Sequence, residues 1–210
     1  MKRLAILGAG GHGRVVADAA EASGEWQKIV LFDDAWPERK SSGPWAIVGN
    51  LRALLQQLPD FEGTVVGIGA NRVRLSHTET LAAAGARLAT IIHPRATLSR
   101  HAKVEIGSVV FAAAVVNIGA HIGRACIVNT AATVDHDCRV EDGVHISPGA
   151  NLAGGVTVGT CCWIGANASV RQQVSIGAHT VIGMGAVVVS PQPDGITAVG
   201  NPARDLNRTM

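Results

Sequence analysis

The sequence predicts a two-part chain: an α/β domain over residues 1–94, then a parallel β-helix over residues 95–210. Two observations carry this. From Leu98 to Val188 an aliphatic residue recurs every six positions without a slip, through Val104, Val110, Val116 and onward. Four residues after each stands a small or slim residue, from Ala102 to Ala186, and this second series breaks only at Gln192. A period of six over such a length fits neither a helix nor an amphipathic strand. It is the pattern of a hexapeptide solenoid, in which each hexad makes one short strand and one corner. Three hexads close a triangular coil, so residues 98–187 give fifteen hexads, or five coils. The second observation is that residues 1–92 alternate strand patterns with helix patterns, which implies a parallel sheet with helices on its faces.

Element by element, residues 3–7 read as a buried strand. Gly8-Ala9-Gly10-Gly11-His12-Gly13 reads as a glycine-rich turn, and residues 14–23 as a helix with Val15, Val16 and Ala19 on one face. Residues 28–32 form a second strand ending in Asp33-Asp34, with further strands expected at 46–48, 64–68 and 88–92 and helices at 50–58 and 72–84. His93-Pro94 marks the joint, because the residue before proline is pushed toward an extended backbone. At the far end Pro191 and Pro193 stop the last repeat strand, residues 196–199 offer one more short strand, and Gly200-Asn201-Pro202-Ala203-Arg204 makes a turn. The last residues are expected to fray.

The net charge is +2, with no dense Lys/Arg stripe, which argues against a nucleic-acid footprint. The longest apolar run, residues 109–116, falls far short of the ~20 residues that span a bilayer. Met1-Lys2-Arg3 before Leu4 has a faint signal-peptide look, but the apolar stretch stops at Gly8 and a strand explains it better. A cytoplasmic, unprocessed chain is expected. Cys126, Cys138 and Cys162 fall in the inward small-residue series, and Cys161 points outward. Stacked residues are 18 apart and no two cysteines are, so neither a disulfide nor a Cys-rich metal site is expected. Twenty-five glycines and 3% aromatics suit a narrow solenoid interior.

Gly8, Gly10 and Gly13 fit the G-x-G-x-x-G spacing between a strand and a helix, and Asp33 follows Gly13 by twenty residues. Glycines let a phosphate approach the backbone, and a helix N-terminus offers N–H groups and the positive end of a dipole. Alone, this pattern says NAD. The second mononucleotide-binding half is missing, however, and Gly67-Ile68-Gly69-Ala70-Asn71 closes another strand toward the same crevice. One nucleotide diphosphate is therefore the favoured ligand, with a plain tight turn as the alternative. His12 reads either as a ligand-facing group or as a helix-start histidine touching the backbone.

His101, His121, His136, His145 and His179 lie in the repeat region outside both inward series, so register puts them at the surface or at corners. His136 stands out. Its flanks are acidic, Asp135 and Asp137, and a carboxylate partner orients an imidazole and raises its basicity. One coil later come Gly154 and Gly155, which implies a bare face beside it. His121, His136 and His145 show neither stacked spacing nor H-x₄-H, so a zinc site of the γ-carbonic-anhydrase type is not expected, and no metal is assigned.

Together these stretches resemble the bacterial nucleotide-sugar acetyltransferases of the PglD/NeuD type. The matching segments are residues 8–13, Phe32-Asp33-Asp34, residues 67–71, Ile92-His93-Pro94, Asn129-Thr130 leading to residues 134–137, residues 145–150 and residues 199–204. The resemblance implies a Rossmann-like domain joined to a left-handed β-helix; the hand comes from the resemblance, since parallel crossovers are ordinarily right-handed. It implies an acetyl-CoA-dependent N-acetyltransferase acting on the amino group of a nucleotide-linked amino-deoxy sugar in surface-glycan or glycoprotein biosynthesis. It also implies a homotrimer with acetyl-CoA as co-substrate, no permanent cofactor and no membrane insertion. His136 matches the base and Asp137 the acid beside it. Gly8, Gly10, Gly11, His12, Gly13, Asp33, Asp34 and Asn71 correspond to the acceptor site. Asn129, His145, Gly154, Gly165, Ala166, Gly183 and Arg204 correspond to the acetyl-CoA and active-site lining. The sequence departs from some members in Gly11, where they have serine, and in Asp137, where they have glutamate. O-acetylation of a sialic-acid-type sugar is the alternative activity. An NAD-binding or nucleotide-sensing protein is a further alternative.

Overall fold

The computed structural model describes residues 1–207, so the C-terminal residues expected to fray lie outside the described residues. The chain divides into two compact units, Met1–Pro94 and Arg95–Met210.

In the first unit the elements run β1 (Arg3–Leu7), α1 (Gly11–Ala22), β2 (Lys28–Phe32), β3 (Ser41–Ser42), β4 (Trp45–Gly49), α2 (Leu51–Gln56), β5 (Gly63–Val66) and α3 (Asn71–Ala83). The sheet order is β3-β4-β2-β1-β5. β1 lies between β2 and β5 and pairs parallel with both; the chain leaves it in one direction for β2 and returns on its other side as β5. That reversal opens a crevice at the carboxyl ends of β1 and β5, where open α/β sheets bind ligands. The core beneath is Ala5, Leu7, Val30, Phe32, Leu54, Phe61, Val66 and Leu81, with Phe32 and Phe61 edge-to-face at 5.7 Å.

Four expectations need correction. α1 begins at Gly11 rather than at residue 14, because Gly10 takes the extended N-cap conformation and Arg14 N already donates to Gly10 O. The sheet is not wholly parallel: β3 and β4 form an antiparallel hairpin at its edge. The helix expected over 50–58 ends at Gln56, after which Leu58–Asp60 tighten into a 3₁₀ turn around Pro59. The strand expected at 88–92 shrinks to a single bridge from Leu88 to Thr64 and the pair Ile91–Ile92.

The second unit is a left-handed parallel β-helix. Two-residue strands stack in strict 18-residue register: Val115 faces Thr97 and Thr133, and Thr133 faces Asn151. Both inward series fill the core, Val110, Ile122, Val134, Ile146 and Ile164 among the aliphatics and Ala120, Cys126, Cys138 and Ala168 among the small residues. Burying each large aliphatic contributes about 1.5–3 kcal/mol. The corners repeat as strictly as the core. At every sixth residue from Gly107 to Gly185 the backbone has positive φ, and eight of these positions are not glycine, among them Ala113, Asp137 and Asn167. A non-glycine residue there costs on the order of 1–2 kcal/mol, which the stacked ladder on either side of each corner overrides.

The four cysteines are free and three are buried. The thiols of Cys126, Cys138 and Cys162 donate to carbonyls of the next coil: Glu141 O at 3.1 Å, Ala153 O at 3.1 Å and Gly177 O at 2.8 Å. Burial pushes the Cys162 thiol up to about 11, so it remains a packing group rather than a nucleophile.

Candidate active site

The glycine turn and its neighbours form a cleft of about 340 Å³ lined by Gly8, Gly10, Gly11, His12, Asp33 and Asp34 from the expected set. Leu7, Leu51, Gly67, Ile68, Gly69 and His77 complete it. His77 carried no signal in the sequence: it is one polar residue on a helix patterned with many.

The glycines have separate reasons. Gly8 sits at φ +110, which a side chain rarely adopts. A Cβ on Gly13 would strike Gly8 O, so this residue sets the approach of α1 to β1 and is not among the cleft lining. Gly10 and Gly11 meet nothing within 4 Å where a Cβ would stand; the space over them is open cleft. No side chain caps the N-terminus of α1 at Gly10.

The turn is braced from two sides. Asp33 Oδ2 accepts from Ala9 N at 2.7 Å and Oδ1 accepts from Ala35 N at 3.0 Å. The buried Ser42 hydroxyl, on the unforeseen hairpin, donates to Ala9 O at 2.7 Å. Asp33 thus first holds the loop, while Asp34 stands exposed at the cleft. Asn71 is buried outside the lining, and its Oδ1 accepts from Arg74 at 2.9 Å.

Burial, reinforced by the nearby Arg74 charge, pushes the His12 imidazole down from 6.5 to about 4. His12 is therefore neutral at neutral pH. As pH falls, the unfolded chain takes up this proton before the folded one does. Stability is expected to drop between about pH 6.5 and pH 4 by up to about 3 kcal/mol from this group, and to be unaffected by it above that window. Chemical denaturation across that window should be flatter in His12→Gln than in the native chain; equal slopes would show that the ring is solvated.

On the prism, the left-handed corner at Asp137 turns its carboxylate back onto the preceding residue. Asp137 Oδ2 accepts from His136 Nδ1 at 2.9 Å. A carboxylate only accepts, so Nδ1 carries the hydrogen and Nε2 presents a lone pair. Asp135 Oδ1 accepts from His136 N and from Asn117 Nδ2, both at 2.8 Å, which pins the backbone under the ring. The Asp137 hydrogen bond first, then the Asp135 charge, raises the His136 imidazole above its ordinary value.

The face at Gly154 is not bare. A Cβ there would run into Nε2, Cε1 and Cδ2 of His136, so glycine makes room for the ring itself. Gly119 does the same one coil before Asp137, where a Cβ would meet Oδ1. Gly119 escaped sequence reasoning, although its 18-residue spacing from Asp137 was the available signal. Beside the dyad lies a groove of about 450 Å³ with a mixed lining, Asn117, Thr133, Asp135, Asn151 and Ser169 among apolar Val115, Leu152, Ala153 and Val170.

His145 corrects a second expectation. It is buried rather than at the surface, because Trp163 from the next coil lies against its ring at 4.7 Å and Asn129 Nδ2 lies 3.1 Å from its Nε2. Trp163 in turn donates to Ser147 Oγ at 2.8 Å. Gly165 is glycine for stacking reasons: a Cβ would enter the backbone of Gly183 at 2.6 Å, with Ala166 next along the corner. Gly183 packs under Val199, whose strand Thr197–Val199 pairs antiparallel with Arg204–Asp205. The structure thus joins Asn129 to His145, and His136 to Asp137 and Gly154.

Residues 3–81 match the PglD N-terminal domain, and residues 155–190 match the bacterial transferase hexapeptide (six repeats). The chain is similar to the acetyltransferase domain of PglB from Neisseria gonorrhoeae, solved with acetyl coenzyme A, at 46% identity over 98% of this chain and 99% of that one, TM-score 0.94. A histidine variant of perosamine N-acetyltransferase from Caulobacter crescentus, solved with CoA and GDP-perosamine, shares 35% identity over 99% of this chain and 98% of that one, TM-score 0.94. UDP-N-acetylbacillosamine N-acetyltransferase of Bacillus subtilis is 37% identical over 117 residues, and that match spans 53% of this chain and 52% of that protein. With both family models matched in order, and one relative matched along nearly its whole length, the chain belongs to the nucleotide-sugar N-acetyltransferases that join a PglD N-terminal domain to a hexapeptide-repeat prism.

Proposed function

We propose that this chain transfers the acetyl group of acetyl-CoA to the amino group of a nucleotide-linked amino-deoxy sugar, with His136 as general base. The observation that carries it is the dyad: Asp137 holds Nδ1–H, and Nε2 is left to take a proton. The sugar amine loses that proton to His136 Nε2 as its nitrogen attacks the thioester carbonyl. The tetrahedral intermediate collapses, the C–S bond breaks, and the proton passes to the departing CoA sulfur. Prism N–H groups stabilise the oxyanion, and a well-placed base contributes about 10²–10⁴ in rate. The nucleotide diphosphate is held at the glycine cleft, on the open backbone of Gly10 and Gly11 with Asp34 and His12 at its wall. The related structures with bound acetyl coenzyme A and with CoA plus GDP-perosamine support this pair of substrates.

The working form we propose is a homotrimer, in which cyclic closure makes three equal clefts for the long CoA arm. Exposed Ile106, Ile118 and Met184 provide apolar surface on the prism for such packing. Light scattering at micromolar concentration should report three chains; a fully active monomer would overturn an intersubunit site. Free thiols support a reducing, cytoplasmic setting. Among the described residues no helix is long and apolar enough to cross a membrane.

The activity is tested by mixing the protein with acetyl-CoA and UDP-, dTDP-, GDP- and CMP-linked amino sugars, with mass spectrometry as readout. One partner should gain a single acetyl group on nitrogen; acetylation of a hydroxyl, or of none, overturns the reading. The division of labour is tested with Gly10→Val. A Cβ here meets no protein atom within 4 Å, so the added side chain projects into the ligand space. Acceptor affinity is expected to fall about tenfold or more, while acetyl-CoA affinity stays flat.

A further inference from the structure

α3 buries the wrong kind of face. Its inward stripe is Asn71, Arg74, Thr78 and Leu81, while Val73 stands exposed. Arg74 is among the largest fully buried side chains of the molecule, at 1% exposure. Burying a guanidinium is costly unless its donors are matched, and here the matches include two carbonyls of one turn. Nη1 donates to Ile68 O at 3.1 Å and to Gly69 O at 2.9 Å, and Nη2 donates to Asn71 Oδ1 at 2.9 Å. Thr78 Oγ1 donates to Arg74 O and anchors the same turn of helix. Ile68 and Gly69 line the glycine-loop cleft; Arg74 itself does not.

We propose that Arg74 is a positioning residue for the acceptor: from behind the cleft wall its planar fork fixes the Ile68–Gly69 turn and places a permanent positive charge behind the site of the nucleotide diphosphate. This rests on the reading that the cleft holds that diphosphate. The geometry asks for arginine in particular. Two carbonyls and an amide oxygen must be bound at once from one rigid group, which a lysine ammonium on a flexible stem does poorly. The charge is felt in the cleft: burial first, and then the Arg74 charge, hold the His12 proton off. The other titratable groups lining that cleft are Asp33, Asp34 and His77. Arg74 thus sets a fixed positive charge behind this wall.

The experiment uses the full chain with UDP, dTDP and GDP as probes, titrated calorimetrically beside acetyl-CoA, for the native protein, Arg74→Lys, Arg74→Met and Gly10→Val. Whichever probe binds the native chain is expected to bind Arg74→Lys about tenfold more weakly and Arg74→Met more weakly still, as charged hydrogen bonds are lost. Acetyl-CoA affinity should not move. His12, followed by its imidazole NMR signals, should titrate near its native value in Arg74→Lys and higher in Arg74→Met, a change that mere loosening of the helix would not order by charge. If Arg74→Met fails to fold, Arg74→Lys still decides through its nucleotide affinity. Nucleotide affinity unmoved by the Arg74 substitutions but weakened by Gly10→Val overturns this inference and leaves the cleft reading intact. Nucleotide affinity unmoved by Gly10→Val as well, or no binding of any of the three probes to the native chain, overturns both. Acetyl-CoA and nucleotide affinity falling together marks Arg74 as a general structural residue and overturns the inference.

Discussion

Replacing His136 with alanine is expected to lower kcat by about 10²–10⁴ while leaving acetyl-CoA affinity unchanged to within about twofold. In the proposed mechanism the ring takes the acceptor proton, so its loss should fall on the chemical step. The fold has little stake in it: the side chain is more than half exposed, at 57%. Steady-state kinetics with direct donor titration check this, and a variant that keeps more than about a tenth of native kcat assigns the base to another group. The pH profile supplies a second check. His136 must be neutral to accept a proton, and its partners raise it above 6.5, so activity should fall as pH drops through a point above that value. Asp137→Asn removes the largest cause of the rise. Its acid limb should move to lower pH, and a limb that stays in place would separate the carboxylate from the base.

The second large effect is expected from a single methyl group. Gly154→Ala places a Cβ where the His136 ring now lies, in contact with three of its atoms. The backbone at this glycine is ordinary, so the coil can accept alanine; what must yield is the imidazole. Driven off the corner, the ring loses its hydrogen bond to Asp137, and kcat should fall about ten- to a hundredfold, as for a misplaced base. The acid limb should shift in the same direction as in Asp137→Asn. Thermal melting should stay close to native. A Gly154→Ala enzyme with native kcat and native pH profile would sink the packed-ring geometry.

The solenoid is legible in the sequence because its core positions are set by a repeat rather than by distant contacts. Leu98 to Val188 name the interior side chain by side chain, and the 18-residue step names each vertical neighbour. What that period cannot say is which outward positions become covered. His145 reads as a surface residue and is buried, because its covering group, Trp163, belongs to the outward series that the hexad pattern leaves free. His136 is legible through its acidic flanks. The glycine beside it is legible only as a gap, when it is in fact the seat of the ring. In the first unit, β1, β2 and the glycine turn announce themselves by apolar runs and spacing. The hairpin of Ser41–Ser42 with Trp45–Gly49 does not, since a two-residue strand has no period to detect. Arg74 is the least legible of all. On a helix dense in polar residues, nothing in composition distinguishes an exposed arginine from one whose fork holds a buried turn.

The register of the prism also makes its length a discrete quantity. A deletion or insertion of 18 residues ahead of Thr133 removes or adds one full storey and returns His136 to the same edge. A change of six keeps every aliphatic pointing inward and every left-handed corner in place, yet turns the catalytic edge by a third of a revolution. Such a protein is expected to melt normally and to lose activity, because the His136–Asp137 pair would stand on a different edge of the prism. The hydrophobic interior therefore tolerates any multiple of six, whereas catalysis counts in eighteens, and natural or engineered length variants of this architecture should survive only at the coarser spacing.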